Sequence, residues 1–575
     1  MNTALFIALR RLRLPIIAVI LSYAISVTGL VLIEGIDDHG RPVEMSWFHA
    51  FYFMSYTATT IGFGEVPYAF TNAQRMWVTF CIYLSVTVWA WQLAAIIALA
   101  QDKTFLEAMK RGNFSRQVKR IGEPFWLMCG YGQTGALLCE RLARTGQRVV
   151  VLEKREQEIF ELELHDHGLS IPALLADARN AEILMDAGLS HPQLAGVLAL
   201  TSDDATNLGI AAAARVLNPY VPVYCRSETP SIAESALAFG TDMLINPFKA
   251  FTEELRLLLL NPEAHTLFMR LTPTHGTGRL SERPCPEGQW IICGYGRFGQ
   301  FVVDVLSETG RPCTPIDPTL LNLSAKDIDG VWQDELDELR NAHLPYAAGI
   351  VIGTGDDTRN LALVALARQV NPDIYVILRQ NDDHSAMLFQ ALKPDMLMVP
   401  SVMVARQCLA AMTSPMLPRM QEHLRRMLPA TVHRLLEYLP YEDTHVWEVR
   451  LNFDEAPAVF ALLGKERDIC LGDLLRDNRD RERRMELHAV ALLRGGQFLA
   501  GPDEDALLLK PHDRLLMAGA ANNQYRLELT LRNEQVLTYV MDGIDRPDGL
   551  IFRWLAERKQ RKNAKKVLCN PPLAA

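Results

Sequence analysis

Two uncharged runs near the N-terminus constrain the first hundred residues more than any other feature. Leu14–Ile33 lies between Arg13 and Glu34, and Met76–Gln101 lies between Arg75 and Asp102. At about 1.5 Å of rise per residue, roughly 20 helical residues cross the ~30 Å hydrocarbon core of a bilayer, and both runs reach that length. Between them Met45–Gly64 is also uncharged but different in kind. Ser46–Ala58 predicts a helix of about 20 Å, enough for part of a bilayer only. The chain then reads Thr59-Thr60-Ile61-Gly62-Phe63-Gly64-Glu65, which cannot continue as helix. Irregular backbone at membrane depth persists only where it lines a cavity or is buried in protein. A half-helix followed by such a stretch predicts a re-entrant loop.

The residue types in that loop suit one task. Alternate glycines let successive carbonyls aim at one axis, and a ring of carbonyls from several chains can replace the water shell of a cation. Thr60 would add a ring of hydroxyls at the inner end, and Glu65 would concentrate cations at the mouth. Thr60-Ile61-Gly62-Phe63-Gly64 resembles the potassium-channel signature, usually Thr-Val-Gly-Tyr-Gly followed by Asp. Ile61 is a mild change, Phe63 lacks the hydroxyl that could brace the filter, and Glu65 keeps the acidic charge. The resemblance implies a selectivity filter at Thr60, Ile61, Gly62, Phe63 and Gly64. It also implies K+ held at Thr60, Ile61, Gly62 and Phe63, and a homotetramer with one loop per subunit.

Charge flanks the two spans unevenly. Arg10, Arg11 and Arg13 precede the first, and Lys103, Lys110, Arg111, Arg116, Lys119 and Arg120 follow the second. The intervening loop holds Glu34, Asp37, Asp38, Glu44 and Glu65 against Arg41 and Arg75. Positive flanks place both termini in the cytoplasm, in a multi-pass protein of the cell's inner (plasma) membrane. No arginine-rich helix offers a carrier for voltage sensing. The second span has no glycine to serve as a hinge, and its Gln92 suits either the pore or a helix–helix hydrogen bond. The chain is 575 residues long, which requires two or three soluble domains beyond the membrane part. Its net charge of −9 argues against a nucleic-acid partner. Ten cysteines without metal-ligand spacing read as reduced core thiols. No cleavable signal peptide is visible.

After a charged linker, 102–124, comes an internal repeat. Trp126-Leu-Met-Cys129-Gly130-Tyr131-Gly132-Gln133-Thr134-Gly135 aligns with Trp290-Ile-Ile-Cys293-Gly294-Tyr295-Gly296-Arg-Phe-Gly299. Glu153 matches Asp317, Asp203-Asp204 match Asp356-Asp357, Asn207 matches Asn360, and Arg226 matches Arg379. The second copy is shorter, and the loss falls between Asp317 and Thr354. Phe125–Cys129, Val149–Leu152, Gly196–Leu200 and Val221–Cys225 read as buried strands alternating with helices, as does Trp290–Cys293. That alternation predicts a parallel sheet with right-handed crossovers.

Each copy carries a glycine fingerprint. The first glycine makes the turn, the second admits a pyrophosphate to the backbone, and the third lets helix and strand pack closely. The helix N-terminus offers free N–H groups to phosphates. Glu153 stands where an acid would hold a ribose 2′-hydroxyl and repel a 2′-phosphate, which favours NAD or an adenosine nucleotide over NADP. The repeats resemble the RCK (Trk-N) domains that regulate potassium conductance, over about 125–250 and 289–410. The fold class is therefore an α-helical pore domain plus α/β: two Rossmann-like RCK domains and a small C-terminal α+β lobe.

The resemblance implies a regulatory NAD(H), ADP or ATP at Gly130, Tyr131, Gly132, Gln133, Thr134, Gly135, Glu153, Lys154, Asp177 and Ala178. Ala176-Asp177-Ala178 supplies the segment that such domains carry after the third strand. In the second copy Gly294, Gly296, Gly299 and Asp317 remain, but that segment has no clear counterpart. Occupancy of this copy and an empty packing domain are equally open. Some family members bind Ca2+, for which Asp177, Glu228, Asp382 and Asp383 are candidates beside the plainer reading as surface acids.

Asp203-Asp204 and Asp356-Asp357 predict helix caps. Asn246-Pro247 opens a helix through Leu260 whose last turn is expected to be buried. Residues 271–289 form a linker, and 402–427 one or two helices. The lobe, 431–540, has expected strands at His445–Leu451, Glu486–Leu493, Ala506–Leu509 and Arg514–Ala518, with a turn at Gly495-Gly496. A basic tail, 541–575, comes last. These readings converge on a ligand-gated potassium channel with eight RCK domains in a ring under four subunits, and on no enzyme. A membrane-anchored NAD-dependent oxidoreductase and a regulatory subunit of a potassium transporter are the alternatives.

Overall fold

The structure is a computed structural model and describes residues 3–543 other than 38, 67, 273–282, 318–338, 340, 341 and 440–443. It divides into two compact units. One is Met1–Cys129 with Gly146–Gly196 and Val216–Val221; the other is Gly130–Thr145 with Val197–Arg215 and Pro222–Ala575.

The first unit opens with the membrane helices. Helix α1 spans Thr3–Leu32. It starts well before the expected span because the residues ahead of the arginines are themselves good helix formers. A short ladder, β1 (Gly35–Ile36) with β2 (Pro42–Val43), leads to α2 (Trp47–Ala58). Ser46 caps α2, accepting from His49 N at 3.3 Å. Helix α3 (Asn72–Ala100) opens on a capping box: Gln74 N donates to Thr71 Oγ1 at 3.3 Å, and Thr71 N to Gln74 Oε1 at 3.1 Å. That box places the start of α3 a turn ahead of the uncharged run. Helices α1 and α3 meet closely at Gly29, where a Cβ would stand 2.1 Å from the Trp77 ring. Trp77 Nε1 also donates to Ser26 O at 3.2 Å. Val27, Leu30, Met54, Val78 and Cys81 close the small core between these helices. Both α1 and α3 are long and apolar enough to cross a membrane. Their outward Leu14, Ile20, Met76 and Tyr83 are more than half exposed, as surfaces facing lipid or further subunits would be. Helix α4 (Lys103–Lys119) occupies the linker.

The first repeat contributes β3 (Phe125–Cys129), α5 (Gln133–Arg144), β4 (Arg148–Glu153), α6 (Glu156–Leu164), β5 (Ala173–Leu175) and α7 (Ala181–Asp186). It continues with β6 (Leu194–Ala199), α8 (Asp204–Leu217), β7 (Val223–Arg226), α9 (Pro230–Ala238) and β8 (Met243–Ile245). The six-stranded sheet has the order β5-β4-β3-β6-β7-β8. Its strands pair in parallel, with Leu127 opposite Val150 and Val197 opposite Val223. This is the doubly wound order of a dinucleotide fold, whose ligand crevice lies at the carboxyl ends of the strands.

Helices α10 (Pro247–Leu260) and α11 (Pro262–Leu271) come next. Leu255 and Leu257 are buried as expected, but Leu260 is 59% exposed. A run that is apolar all round says nothing about which face finds a partner. The second repeat holds β9 (Trp290–Cys293), α12 (Arg297–Glu308), β10 (Cys313–Ile316), β11 (Gly349–Ile352), β12 (Tyr375–Arg379) and β13 (Met396–Met398). Among the described residues its order, β10-β9-β11-β12-β13, matches β4-β3-β6-β7-β8 of the first. Any counterpart of β5 would fall between Asp317 and Gly349, where most residues lie outside the described set.

Helices Pro400–Thr413 and Leu417–Leu424 fill the segment after the second sheet. The C-terminal lobe is a four-stranded antiparallel sheet of β14 (His445–Arg450), β15 (Leu487–Arg494), β16 (Gln497–Ala500) and β17 (Arg514–Gly519), in the order β14-β17-β15-β16. Gly495 and Gly496, at φ 54° and 84°, make the β15–β16 turn. The expected strand at Ala506–Leu509 is absent: Leu508 makes one isolated bridge with Cys470, and the hairpin partner is β16. Residues 544–575, including the basic stretch, lie outside the described residues.

Candidate functional site

In the first unit the backbone changes hand directly after α2. Thr60, Gly62 and Gly64 take φ values of 63°, 64° and 74°. Left-handed backbone at alternate positions favours glycine, and Thr60 adopts it at a cost. Ile61 N and Gly62 N both donate to Tyr56 O, at 3.0 and 3.2 Å, so the last turn of α2 supports the filter from behind. The outer end is held by two side chains that the sequence reading did not single out. Tyr56 Oη donates to Glu65 O at 2.6 Å, and Tyr52 Oη donates to Glu65 Oε2 at 3.1 Å. The Tyr56 ring also meets the Phe63 ring edge-on at 6.0 Å. Phe63 brings no hydroxyl of its own, so the brace comes from the half-helix. The signal was a Tyr-x-x-x-Tyr spacing, which puts both rings on one helix face.

The fingerprint turn of the first repeat belongs to the second unit. Gly130 has φ 103°, and a Cβ there would stand 2.9 Å from Thr201 N. Only glycine satisfies both demands. Gly132 occupies the N-cap of α5 without a side chain to cover the N–H groups of the first turn. Tyr131 and Thr134 are buried. The acidic part belongs to the first unit. Glu153 is 7% exposed, and its Oε1 accepts from Lys154 N and Arg155 N, each at 2.8 Å. Asp177 stands next to it on the sheet edge, with Lys154 Nζ 3.7 Å from its Oδ2 and Ala176 N donating to Glu153 O at 2.8 Å. The Arg179 guanidinium and backbone N–H hold the Asp177 carboxyl down at about 2. Glu153, Lys154, Asp177 and buried Ala178 are thus brought together.

The second repeat shows the same construction. Gly294 has φ 94°, Gly296 caps α12, and a Cβ on Gly299 would stand 2.1 Å from Gly294 O. Asp317 Oδ2 accepts from Tyr295 N at 2.6 Å, which ties the acid to the turn. Asn207 donates to Thr201 O and Arg226 O at 2.9 and 3.0 Å, and Asn360 to Thr354 O and Arg379 O at 3.1 and 3.0 Å. The repeated asparagines therefore fasten two strand ends to one another.

The paired aspartates divide their work. Asp203 and Asp356 cap helices as expected, with Asp203 accepting from Thr206 N and Asp356 from Thr358 N. Asp204 and Asp357 do not. Asp204 accepts from Glu228 N and Thr229 N, and Asp357 from Asn381 N and Asp382 N, so each braces the loop after a distant strand.

Within the second unit the two repeats grip each other reciprocally. Gln133, first in α5, donates to Asp382 Oδ1 at 3.2 Å, and Arg297, first in α12, pairs with Glu228 at 2.9 Å. Deeper in, Glu254 of α10 pairs with Arg406 of Pro400–Thr413, with His265 Nε2 3.6 Å away.

The four Ca2+ candidates do not form a cation site. Asp177 is taken by Arg179, Glu228 by Arg226 and Arg297, and among the described residues no group of three potential ligands converges. Because hard cations need six or more converging oxygens, flux through the reconstituted protein is expected to be the same in micromolar Ca2+ and in excess chelator. A severalfold change would place a Ca2+ site elsewhere.

Comparison with known proteins points the same way. An ion-channel family matches residues 16–102, and the TrkA-N domain family matches 126–247 and again 290–400. Potassium channel protein 1 of Methanocaldococcus jannaschii is 24% identical over 254 residues, covering 44% of this chain and 72% of its own. The voltage-gated potassium channel Kch of Escherichia coli is 25% identical over 238 residues, covering 41% and 54%. Among solved structures, the GsuK channel bound to NAD aligns over 92% of this chain and 99% of its own, at 14% identity and a TM-score of 0.42. The chain carries an ion-channel domain followed by two TrkA-N domains, in the order that the pore helices and the paired parallel sheets require.

Proposed function

We propose that this protein is the subunit of a potassium-selective channel whose first TrkA-N repeat senses an adenine nucleotide, NAD or ADP/ATP. The single observation that carries the channel reading is the filter: left-handed backbone at Thr60, Gly62 and Gly64, hung from a capped half-helix between two apolar helices. In a homotetramer four such turns would present carbonyl rings to one axis. The M. jannaschii and E. coli relatives named as potassium channels support the ion. Eight repeats would then form the cytoplasmic ring. In the first repeat the bare N-terminus of α5 would take the phosphates. The second repeat keeps Asp317 but has no counterpart of Asp177 in the sequence, so one nucleotide per chain is the expected stoichiometry.

The test is potassium flux from liposomes holding the purified protein, with and without NAD or ADP, beside calorimetric titration of the same sample. Selective flux that responds to nucleotide is the expected result. Gly132→Asp, which puts a carboxylate where the pyrophosphate would lie, is expected to remove nucleotide binding while leaving flux in place. Nucleotide control that survives this change would move the sensor away from the first repeat. Two nucleotides per chain would show the second repeat to be occupied. Hydride transfer between NAD and any substrate would revive the oxidoreductase reading.

A further inference from the structure

The inner helix has no glycine, yet its cytoplasmic end is not continuous with the linker helix. Helix α3 closes at Ala100, with Gln101 N donating to Ile97 O and Asp102 N to Leu99 O, each at 3.1 Å. Asp102 itself is extended, at φ −72° and ψ 116°, and α4 begins at Lys103. The Asp102 carboxylate caps α4, accepting from Phe105 N at 3.0 Å and from Thr104 Oγ1. Across this joint Arg11 of α1 places its guanidinium 2.5 Å from Asp102 Oδ2.

Beyond the joint, the second half of α4 is docked. Phe114 and Val118 are buried, and a Cβ on Gly188 would stand 2.8 Å from Val118 and 2.9 Å from Phe125. Arg111 Nε lies 2.5 Å from Asp186 and its terminal nitrogen 3.5 Å from Glu182, both on α7. Helix α7 starts at Ala181, directly after the turn that holds Asp177. Asp177, α7 and the second half of α4 therefore pack together, and the helix continues from there back to Asp102.

We infer that the Gln101–Asp102 joint is the gating hinge of this channel, turned by α4 as a rigid arm of the first repeat and latched by the Arg11–Asp102 ion pair. The hinge rests on the channel reading alone; only its coupling to ligand rests on the nucleotide reading.

The full-length protein in liposomes tests it. Arg11→Gln and Asp102→Asn (asparagine keeps the cap of α4) are each expected to change nucleotide-free flux in the same direction. Four latches acting together give roughly three- to tenfold. Arg11→Lys is expected to stay near the unaltered protein, and the double variant to match either single change, since the pair acts as a unit. Calorimetry on the same variants is expected to show nucleotide affinity changed by no more than the change in flux, because coupling between latch and ligand is reciprocal. Arg111→Gln is expected to leave affinity in place and weaken the effect of nucleotide on flux. Equal flux in the unaltered protein and all latch variants would overturn the hinge, as would additive effects of the two changes. Full nucleotide control in Arg111→Gln would overturn the arm. Absence of nucleotide binding in the unaltered protein would remove the sensor reading while the latch comparison still decides the hinge.

Discussion

Tyr56→Phe is expected to cost the channel about tenfold in discrimination of potassium over sodium. The substitution keeps the ring, which is buried and packed on Phe63, and removes only the hydroxyl that donates to Glu65 O at 2.6 Å. A hydrogen bond of this kind contributes about 1 kcal/mol. A closed filter needs all four copies, and ~1.4 kcal/mol, about a third of what four such bonds contribute, is already a factor of ten in a ratio of occupancies. The remaining support from Tyr56 O to Ile61 N and Gly62 N would survive, so the variant should conduct but choose poorly. Tyr52→Phe on top of it would release the Glu65 side chain as well. Reversal potentials in mixed potassium and sodium, or paired flux assays, measure the ratio. An unchanged ratio in the double variant would mean that the outer end of the filter is held by something other than the half-helix.

The largest expected effect on stability lies far from the membrane, at Arg406. Arg406→Met strands the Glu254 carboxylate, of which 5% is exposed, in the core between α10 and Pro400–Thr413. Breaking one partner of a buried pair costs about 3–5 kcal/mol, because the remaining charge has lost its compensation. Burial pushes the Glu254 carboxyl up, but the Arg406 charge beside it outweighs burial and holds it at about 2. For a carboxyl depressed in this way the stabilisation is present above the ordinary carboxylate range. It is lost only as pH falls toward the folded value. Near neutral pH, Arg406→Met is therefore expected to lower the denaturant midpoint of the cytoplasmic part clearly. Glu254→Met with Arg406→Met should recover most of the loss, since an apolar pair of similar volume has no charge to strand. Equal midpoints for the single variant and the unaltered protein would show that the ion pair contributes nothing net.

Much of this architecture was legible because local and long-range demands agree. Ser46 followed by an apolar half-helix gave α2 nearly to the residue, and Phe125–Cys129 and Trp290–Cys293 were legible because each is an apolar run ending in glycine. Glu153 stood out because the fingerprint spacing fixes where an acid follows in a doubly wound sheet, and Asp177 only through the resemblance to RCK domains, which carry such a segment after the third strand. What escaped depends on partners that sequence does not display. Strand β16 is a half-exposed edge strand with little alternation to detect. Leu260 is apolar yet stays mostly exposed among the described residues. Asp204 and Asp357 look like caps beside Asp203 and Asp356, and only the folded chain brings the loop after a distant strand to their carboxylates. The Tyr52 and Tyr56 brace is the same kind of case: two aromatic side chains in a hydrophobic helix, whose hydroxyl partner lies across a turn.

The reciprocal grip of the two repeats, Gln133 on Asp382 and Arg297 on Glu228, bears on how such a chain can evolve. Separate copies of one domain must find each other at cellular concentration, and any change in one surface appears on both sides of the interface. Joining them through residues 271–289 makes the encounter intramolecular, at an effective concentration that a short linker raises to the order of millimolar. Pairing then survives a weak interface, and the two faces no longer have to be self-complementary. One copy is free to shed a strand or a ligand contact while still serving as the fixed surface against which its sibling turns. The shortened second repeat is what that freedom would leave behind.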